Sequence, residues 1–424
     1  MAELETQPEP KQKTIGAGQE YLLVAVPAPL GSEVLSSTIE KLSQAASRLS
    51  LSCPLLLAVP GEEALEEPVE MEAASHTNLP LRYVTYTQPA TDAAATPWLA
   101  NTATQRSIFS LANKIGIRSC TVLGTDVGFN RDLLTPEKLS LFMGPGVEGN
   151  FDLVMPLYSM QAFDDLLNKS ILYPLTRALY GHRVRYPLAN ELQASSKLMQ
   201  KFPANFEKDS VRQQGRLLWL ATTAVNQNLK ICQVQLGARR PQGHEGIELS
   251  DALAQLAGPL FTDMEDNAAF WQRVRGSHDV PTFGNAEVAS GATDTVDVRR
   301  MIEAFELGVR NLREIWSLVL PPVTLMEVKK LSRLTPDTFH MPDALWARII
   351  YDFALAHRLR NIHRAHLFGA LTPLYLGWVA SYAVEVNAAG IAMDEERVEQ
   401  LARAYEAETP YLLSRWRWPD RFHP

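Results

Sequence analysis

Short apolar runs alternate with amphipathic segments in the first half of the chain, and this alternation constrains the fold more than any other feature. Residues 21–26 (YLLVAV) form a continuous apolar run, and apolar residues then recur at helical spacing from Leu35 to Leu49. The pattern continues with apolar runs at 54–59, 81–86 and 119–123 and a helical segment at 104–114. Strands that alternate with helices predict a mostly parallel sheet with helices on both faces, so the expected fold class is α/β.

The second half of the chain has a different character, which predicts a second domain. A chain of 424 residues is long enough for two or three domains, because single cores stop growing beyond roughly 250–300 residues. Helical periodicity dominates after about residue 248. We therefore expect a disordered tail at 1–19, an α/β domain at 20–245 and an α-helical C-terminal domain at 246–424. A stretch rich in Gly, Pro and Ser at 275–293 is predicted to be a linker.

Composition and charge exclude several classes of protein. The formal net charge is −8 without a long basic run, which argues against a surface that binds nucleic acid. Three widely spaced cysteines, each in or beside an apolar run, are typical of buried free thiols in a reducing cytoplasm. The uncharged stretch 367–384 has about the minimum length of a membrane span, but its Pro, Thr and Ser residues favour a buried helix. We expect a cytoplasmic protein without a membrane span.

Polar residues follow the predicted strands at the edge where α/β proteins bind ligands. In the stretch 119–130 (SCTVLGTDVGFN) the apolar run stops at Gly124, and Asp126 follows at the carboxyl end of the strand. Such an aspartate either forms a turn or acts as a metal or ligand carboxylate. A basic cluster with Arg183 and Arg185 comes after a further strand and helix. It either binds a phosphate or carboxylate, for which a planar guanidinium is suited, or forms a solvated loop.

Several motifs, in matching order and spacing, resemble a family of bacterial glycosyltransferases of the GT-A fold. The family is related to mannosylglycerate synthase and glucosyl-3-phosphoglycerate synthase, and the resemblance runs over most of the chain. The motifs that carry it are FDLVMPLY (151–158), YPLTRALYGHRVRYPLANEL (173–192), LWLATTAV (218–225), CQVQLGA (232–238), VPTFG (280–284) and LTPLYLGWVASY (371–382).

The resemblance implies a nucleotide-diphosphate sugar at the carboxyl edge of the sheet and a small-molecule acceptor beside it. In the family a divalent metal, Mg²⁺ or Mn²⁺, bridges the diphosphate to an Asp-x-Asp motif, because a hard cation stabilises the charge of the leaving group. The matching positions here are Gly124, Thr125 and Asp126. The resemblance thus assigns Asp126 to the metal and Glu191 to catalysis near the sugar or acceptor. Donor binding is assigned to Arg106, Thr125, Arg183 and Arg185.

The chain departs from the family pattern at several polar positions. Gly124 replaces the first aspartate of the metal motif, and Leu217 replaces an acidic residue. Where the family has Lys-x-His after the last strand of the α/β domain, this chain has Arg239-Arg240-Pro241, so His244 is the nearest substitute for the metal-binding histidine. Glu191 is retained, although it also has a plain interpretation as a surface partner of Arg185.

These departures leave two interpretations of the function. The first is a metal-dependent glycosyltransferase. The second is a catalytically impaired or inactive homologue, a pseudoenzyme that binds or scaffolds, either as a homo-oligomer or beside an active paralogue. A sugar nucleotidyltransferase is disfavoured, because residues 27–33 (PAPLGSE) do not form a Gly-rich phosphate loop with a basic residue. We expect weak or absent metal-dependent transfer, with nucleotide binding by Arg106 and the edge of the sheet.

Overall fold

The computed structural model describes residues 21–49, 51, 53–70, 81–88, 97–124, 135–202, 219–239, 247–287, 296–389 and 394–419. The predicted tail at 1–19 lies outside these residues. The described part is an α/β structure built on one mixed sheet. The predicted α/β class with a mostly parallel sheet is therefore confirmed.

The sheet has nine strands in the order β3–β4–β2–β1–β5–β7–β6–β8–β9. Five of the eight strand pairings are parallel, and the three antiparallel pairings involve β3 or β7. The strands are β1 (Leu22–Ala25), β2 (Leu55–Gly61), β3 (Leu65–Glu70), β4 (Leu81–Thr87), β5 (Ser119–Val122), β6 (Leu153–Ser159), β7 (Leu192–Ser195), β8 (Ile231–Ala238) and β9 (Thr282–Phe283).

Helices connect these strands and make up the whole described chain after β9, apart from short turns. In the first part they are α1 (Ser32–Arg48), α2 (Pro97–Ile115), α3 (Pro136–Val147), α4 (Tyr173–Tyr180), α5 (Ser196–Met199), α6 (Leu220–Asn226), α7 (Leu249–Asp266) and α8 (Ala268–Trp271). A π-helical turn at Asn168–Leu172 leads into α4. The later helices are α9 (Val298–Asn311), α10 (Arg313–Val319), α11 (Pro322–Leu331), α12 (Asp343–Leu359), α13 (Arg364–Ala389), α14 (Asp394–Ala407) and α15 (Thr409–Arg417).

The central strand β1 shows why the sheet is covered on both faces. Successive side chains of a strand point to opposite faces, and every residue of β1 is buried. Leu22 and Val24 pack in a cluster with residues of α1 and α3. Leu23 and Ala25 belong to the main core with residues of α2. A strand buried on both sides reads as a continuous apolar run, which is the pattern seen at 21–26.

Three short strands were not predicted, and one of them lies in a stretch expected to be a linker. The acidic segment after β2 contains β3, which pairs antiparallel with β4 at the edge of the sheet. The expected linker at 275–293 contains β9, which adds to β8. β7 lies between β5 and β6 and runs antiparallel to both. None of these three segments contains the continuous apolar run that indicated the predicted strands.

The C-terminal helices share a hydrophobic core with the sheet and its helices. The indole Nε1 of Trp346 in α12 donates to the backbone oxygen of Ser170 at 3.0 Å. The hydroxyl of Tyr405 in α14 donates to the same oxygen at 2.9 Å. Both side chains are buried, so the helices after β9 are fastened to the α/β part through its interior.

The long apolar segment forms most of α13. In the described part of the chain it is the one helix long and apolar enough to cross a membrane, and 72% of its most apolar window is buried inside the protein. Most of its apolar surface is therefore already covered by other parts of the chain.

Candidate functional site at the carboxyl edge of the sheet

A topological switch point lies between β1 and β5. After β1 the chain builds β2 and β4 on one side, and it then returns to place β5 on the other side of β1. In open α/β sheets the loops that leave two such strands diverge, which opens a crevice at their carboxyl ends. β5 ends at Val122, and the buried Leu123 and Gly124 follow it. The predicted metal motif therefore begins at the switch point, although Thr125 and Asp126 lie outside the described residues.

The antiparallel strand β7 brings Glu191 to the same edge. Because β7 runs antiparallel to β5, its first residue, Leu192, lies beside Val122, the last residue of β5. Glu191 immediately precedes β7, Tyr158 is near the end of β6, and Arg239 follows β8. Three residues far apart in the sequence therefore meet where the strands end.

These three side chains form a compact, nearly buried cluster. Nη1 of Arg239 lies 2.8 Å from Oε2 of Glu191, and both side chains are largely shielded from solvent. The hydroxyl of Tyr158 donates to the same carboxylate oxygen. The guanidinium carbon of Arg239 lies 4.6 Å from the centroid of the Tyr158 ring, within the range of a cation–π contact.

This cluster changes the interpretation of Glu191. The expected surface pair with Arg185 is wrong, because the partner is Arg239 and the pair is buried. A ligand or proton that reached Oε2 would have to compete with a guanidinium and a phenol. In the structure as it stands, Glu191 is a fixed counterion of Arg239.

The two predicted binding arginines have different surroundings. Arg183 is partly exposed, and its Nη1 lies 2.9 Å from Asp279 while its Nε donates to Ser277. Arg185 is buried, with its guanidinium carbon 5.0 Å from the Tyr173 ring centroid and 5.2 Å from that of Tyr186. The interpretation as a solvated basic loop therefore fails for Arg185.

Arg185 is only partly satisfied by hydrogen bonds. Its Nε and Nη2 each lie 3.3 Å from a carboxylate oxygen of Glu395, at the start of α14. Its buried Nη1 has no hydrogen-bond partner among the described residues. A buried donor without a partner is unusual in proteins and is often explained by a bound ligand or water.

The helix α2 borders the edge through Asn101. The side-chain amide of Asn101 donates to the side-chain oxygen of Asn190 at 3.0 Å, next to Glu191. Arg106, the predicted donor-binding residue, lies further along α2 and is half-buried. The contact between the two asparagines was not predicted, because nothing in the local sequence relates residues so far apart.

Asp165 is the residue at this edge that the sequence analysis missed. It follows β6 in a turn and has a positive φ of 52°, which is uncommon for residues other than glycine. Its side chain is exposed, yet the surrounding protein excludes enough water to raise the pKa of its carboxyl to about 6. Three cations oppose this rise in pKa, and their effects decrease in the order Arg185, Lys169, Arg239. Arg239 thus acts electrostatically on Asp165 and donates a hydrogen bond to Glu191, so both carboxylates are within electrostatic range of the same guanidinium.

The buried Lys169 holds the turn that carries Asp165. Its Nζ donates to the backbone oxygens of Gln161 and Ala162 at 2.8 and 2.9 Å, and it lies 2.7 Å from Asp394 of α14. Burial lowers the pKa of this lysine, while Asp394 opposes the change. The turn after β6 is therefore tied to the C-terminal helices by a buried ion pair.

The described residues do not supply a site for a divalent metal. No three side chains of His, Cys, Asp or Glu come together within the described ranges in a way that could hold an ion. Gly124 offers no side-chain ligand, and Glu191 is engaged by Arg239. Asp126, which the resemblance assigns to the metal, and His244, the nearest substitute for the metal-binding histidine, lie outside the described part of the chain.

Comparison with known proteins leaves the family open. No protein-family model matches the chain, and no curated protein matches it significantly.

Proposed function

We propose that this protein is a glycosyltransferase that moves a sugar from a nucleotide-diphosphate sugar to a small acceptor. The observation that carries the proposal is the convergence of Glu191, Arg239 and Asp165 on the carboxyl edge of the sheet, next to the switch point between β1 and β5. Ligands of open α/β sheets bind at such points. In this proposal the donor lies across the crevice and the acceptor lies towards β6.

The charges around the crevice support an anionic ligand. Arg185, Lys169 and Arg239 all act electrostatically on Asp165, and each of them also contacts a carboxylate, that of Glu395, Asp394 and Glu191 respectively. A nucleotide diphosphate is the anionic product of sugar transfer, and fixed cations in a site that excludes water stabilise such a leaving group. Arg185 is the best placed of the three to contact it, because its Nη1 has no hydrogen-bond partner among the described residues.

We also propose the GT-A architecture for this sheet. Its support is a parallel half, β4–β2–β1–β5, followed by a mixed half in which β7 is reversed. Because β7 is antiparallel to β5, Glu191, which precedes the start of β7, lies at the same edge of the sheet as residues that follow the ends of other strands. The proposal includes a cytoplasmic protein without a nucleic-acid partner, with the helices after residue 246 as a second domain.

A second candidate is the impaired homologue, and a specific observation favours it. Arg239, at the position where the family has Lys-x-His, closes onto Glu191. Gly124 at the end of β5 removes the first metal carboxylate. In this alternative the crevice binds a nucleotide and the chain acts as a partner in a homo-oligomer or beside an active paralogue.

A ligand screen with a turnover assay separates the two candidates. The melting temperature is measured with a panel of uridine and guanosine diphosphate sugars, with Mg²⁺, with Mn²⁺ and with a chelator. A ligand at one hundred times its dissociation constant stabilises the folded state by about 2.7 kcal/mol, which is readily measured. Release of nucleotide diphosphate is followed in parallel with water, polyols and hydroxy acids as acceptors.

The outcomes are distinct. Stabilisation with release of nucleotide diphosphate supports the transferase. Stabilisation without release supports the impaired homologue. If none of these donors stabilises the protein and none is turned over, both candidates are wrong.

A further inference from the structure

The turn at residues 161–165 has an unusual geometry that the fold maintains at several points. Asp165 has a φ of 52°, and such conformations in residues other than glycine persist only where the surrounding structure enforces them. Lys169 stabilises this turn by donating hydrogen bonds to the backbone oxygens of Gln161 and Ala162. The hydroxyl oxygen of Tyr382 lies 2.9 Å from the oxygen of Ala162, and the same hydroxyl contacts Asp394. Left-handed residues at such turns often mark functional sites.

Two adjacent carboxylates in this turn have different surroundings. Asp164 has a structural role, because its Oδ2 accepts a hydrogen bond from the backbone nitrogen of Gln161 at 2.9 Å. Asp165 is exposed to solvent in the crevice, and within the described ranges no residue donates a hydrogen bond to its carboxylate. Since the turn is already held by Lys169 and Asp164, the side chain of Asp165 is left to contact a ligand.

The charged groups that act on Asp165 come from several segments of the chain. Arg185 has the largest effect, followed by Lys169 and Arg239, and Asp164 has the opposite effect. Tyr186 and Tyr375 are also electrostatically coupled to it. The balance of burial and these charges gives a pKa of about 6, so the carboxylate is ionised at neutral pH and can still take up a proton. Efficient general bases have pKa values close to the operating pH.

We propose that Asp165 is the catalytic base of this site, which accepts the hydrogen bond of the acceptor hydroxyl and takes its proton. The inference rests on the proposed function. In the step, the acceptor oxygen forms a bond to the anomeric carbon while the bond from that carbon to the diphosphate oxygen breaks. The diphosphate leaves with the electron pair, and the proton of the hydroxyl goes to Asp165. When water is the acceptor, the same proton transfer gives hydrolysis.

The substitution Asp165→Asn tests this role with a close internal control. Asparagine has the same shape and also tolerates a positive φ, so the turn should be kept. Asp164→Asn is the matched control, because it removes the same charge one residue away. A second variant, Asp165→Gly, accepts the same backbone conformation and removes the side chain. Measurements are turnover of the donor panel, pH profiles of kcat/KM, and the shift in melting temperature on donor binding.

We expect Asp165→Asn and Asp165→Gly to lose about 100-fold or more in kcat, the usual range for a missing general base. Both should keep the donor-induced thermal shift, and Asp164→Asn should stay near the wild-type rate. The wild-type kcat/KM should fall below about pH 6, where Asp165 is protonated, and this fall should vanish from the residual activity of Asp165→Asn.

Failure of the base assignment is distinguishable from failure of the proposed function. If the wild type turns over donors and Asp165→Asn does so at a similar rate, the assignment of Asp165 is wrong and the transferase stands. An equal loss in Asp164→Asn would also overturn it, because a general effect on the turn would then explain the result. A wild type that turns over no donor overturns both.

Discussion

Replacement of Lys169 by methionine tests whether the buried ion pair with Asp394 holds the turn of the site against the C-terminal helices. The exposed fraction is 1% for the side chain of Lys169 and 8% for that of Asp394, and the two charges are 2.7 Å apart. Lys169→Met keeps a long apolar side chain but leaves Asp394 as a buried charge without its cation. Breaking a buried pair by removing one partner costs about 3–5 kcal/mol.

The lower part of that range is the better expectation. The hydroxyl of Tyr382 has a single proton, and in the variant it can donate this proton to Asp394, so the carboxylate keeps one partner. The backbone oxygens of Gln161 and Ala162 both lose the hydrogen bond from Lys169. We therefore expect Lys169→Met to lower the free energy of unfolding by about 3 kcal/mol. The double variant Lys169→Met, Asp394→Asn should lose less free energy of unfolding than the sum of the losses in the two single variants, because it contains no uncompensated charge.

Equilibrium unfolding in urea measures these changes, and the ion pair between Arg48 and Glu137 provides the control. Its side chains are 51% and 56% exposed, so Arg48→Met should cost between 0 and about 1 kcal/mol. The reasoning is refuted if Lys169→Met costs no more than Arg48→Met. It is also refuted if the double variant is as unstable as the sum of the single ones, since the charges would then be independent.

Three further predictions concern pH, backbone strain and the metal motif. Burial lowers the pKa of His357 to about 4, so below about pH 6.5 the unfolded state binds a proton more readily than the folded state. The free energy of unfolding should therefore fall as the pH is lowered from about 6.5 to about 4. His357→Leu should weaken this pH dependence in urea unfolding. Gly237 has a φ of 87°, and a Cβ at this position would lie 2.1 Å from a carboxylate oxygen of Glu287. Gly237→Ala should therefore lower the free energy of unfolding by about 1–3 kcal/mol. Gly369→Ala, in a helix with open space around it, should instead stabilise by about 0.5–1 kcal/mol. Gly124→Asp restores the first carboxylate of the metal motif and should increase thermal stabilisation by Mn²⁺; an unchanged response would place the loss at other positions, such as Leu217.

The sequence alone determined the parts of the fold that depend on neighbouring residues. The buried parallel strands β1, β2 and β5 appear as apolar runs, because both of their faces are covered and no alternation interrupts them. The end of β5 at Val122 was equally clear, because the polarity changes abruptly at Gly124. These signals are local, and they indicated the α/β class and the edge of the sheet that carries the candidate site.

Only the tertiary structure decided the order of the strands and the chemistry at that edge. β7 has four residues and no distinctive pattern, so its antiparallel place between β5 and β6 follows from packing and hydrogen bonding with its neighbours. That placement joins Glu191 to Arg239, which is 48 residues away in the chain. The left-handed turn at Asp165 likewise depends on Lys169 and on helices more than 200 residues further along. Burial and charge pairing between distant segments set the properties of these side chains, and local sequence does not encode which segments will meet.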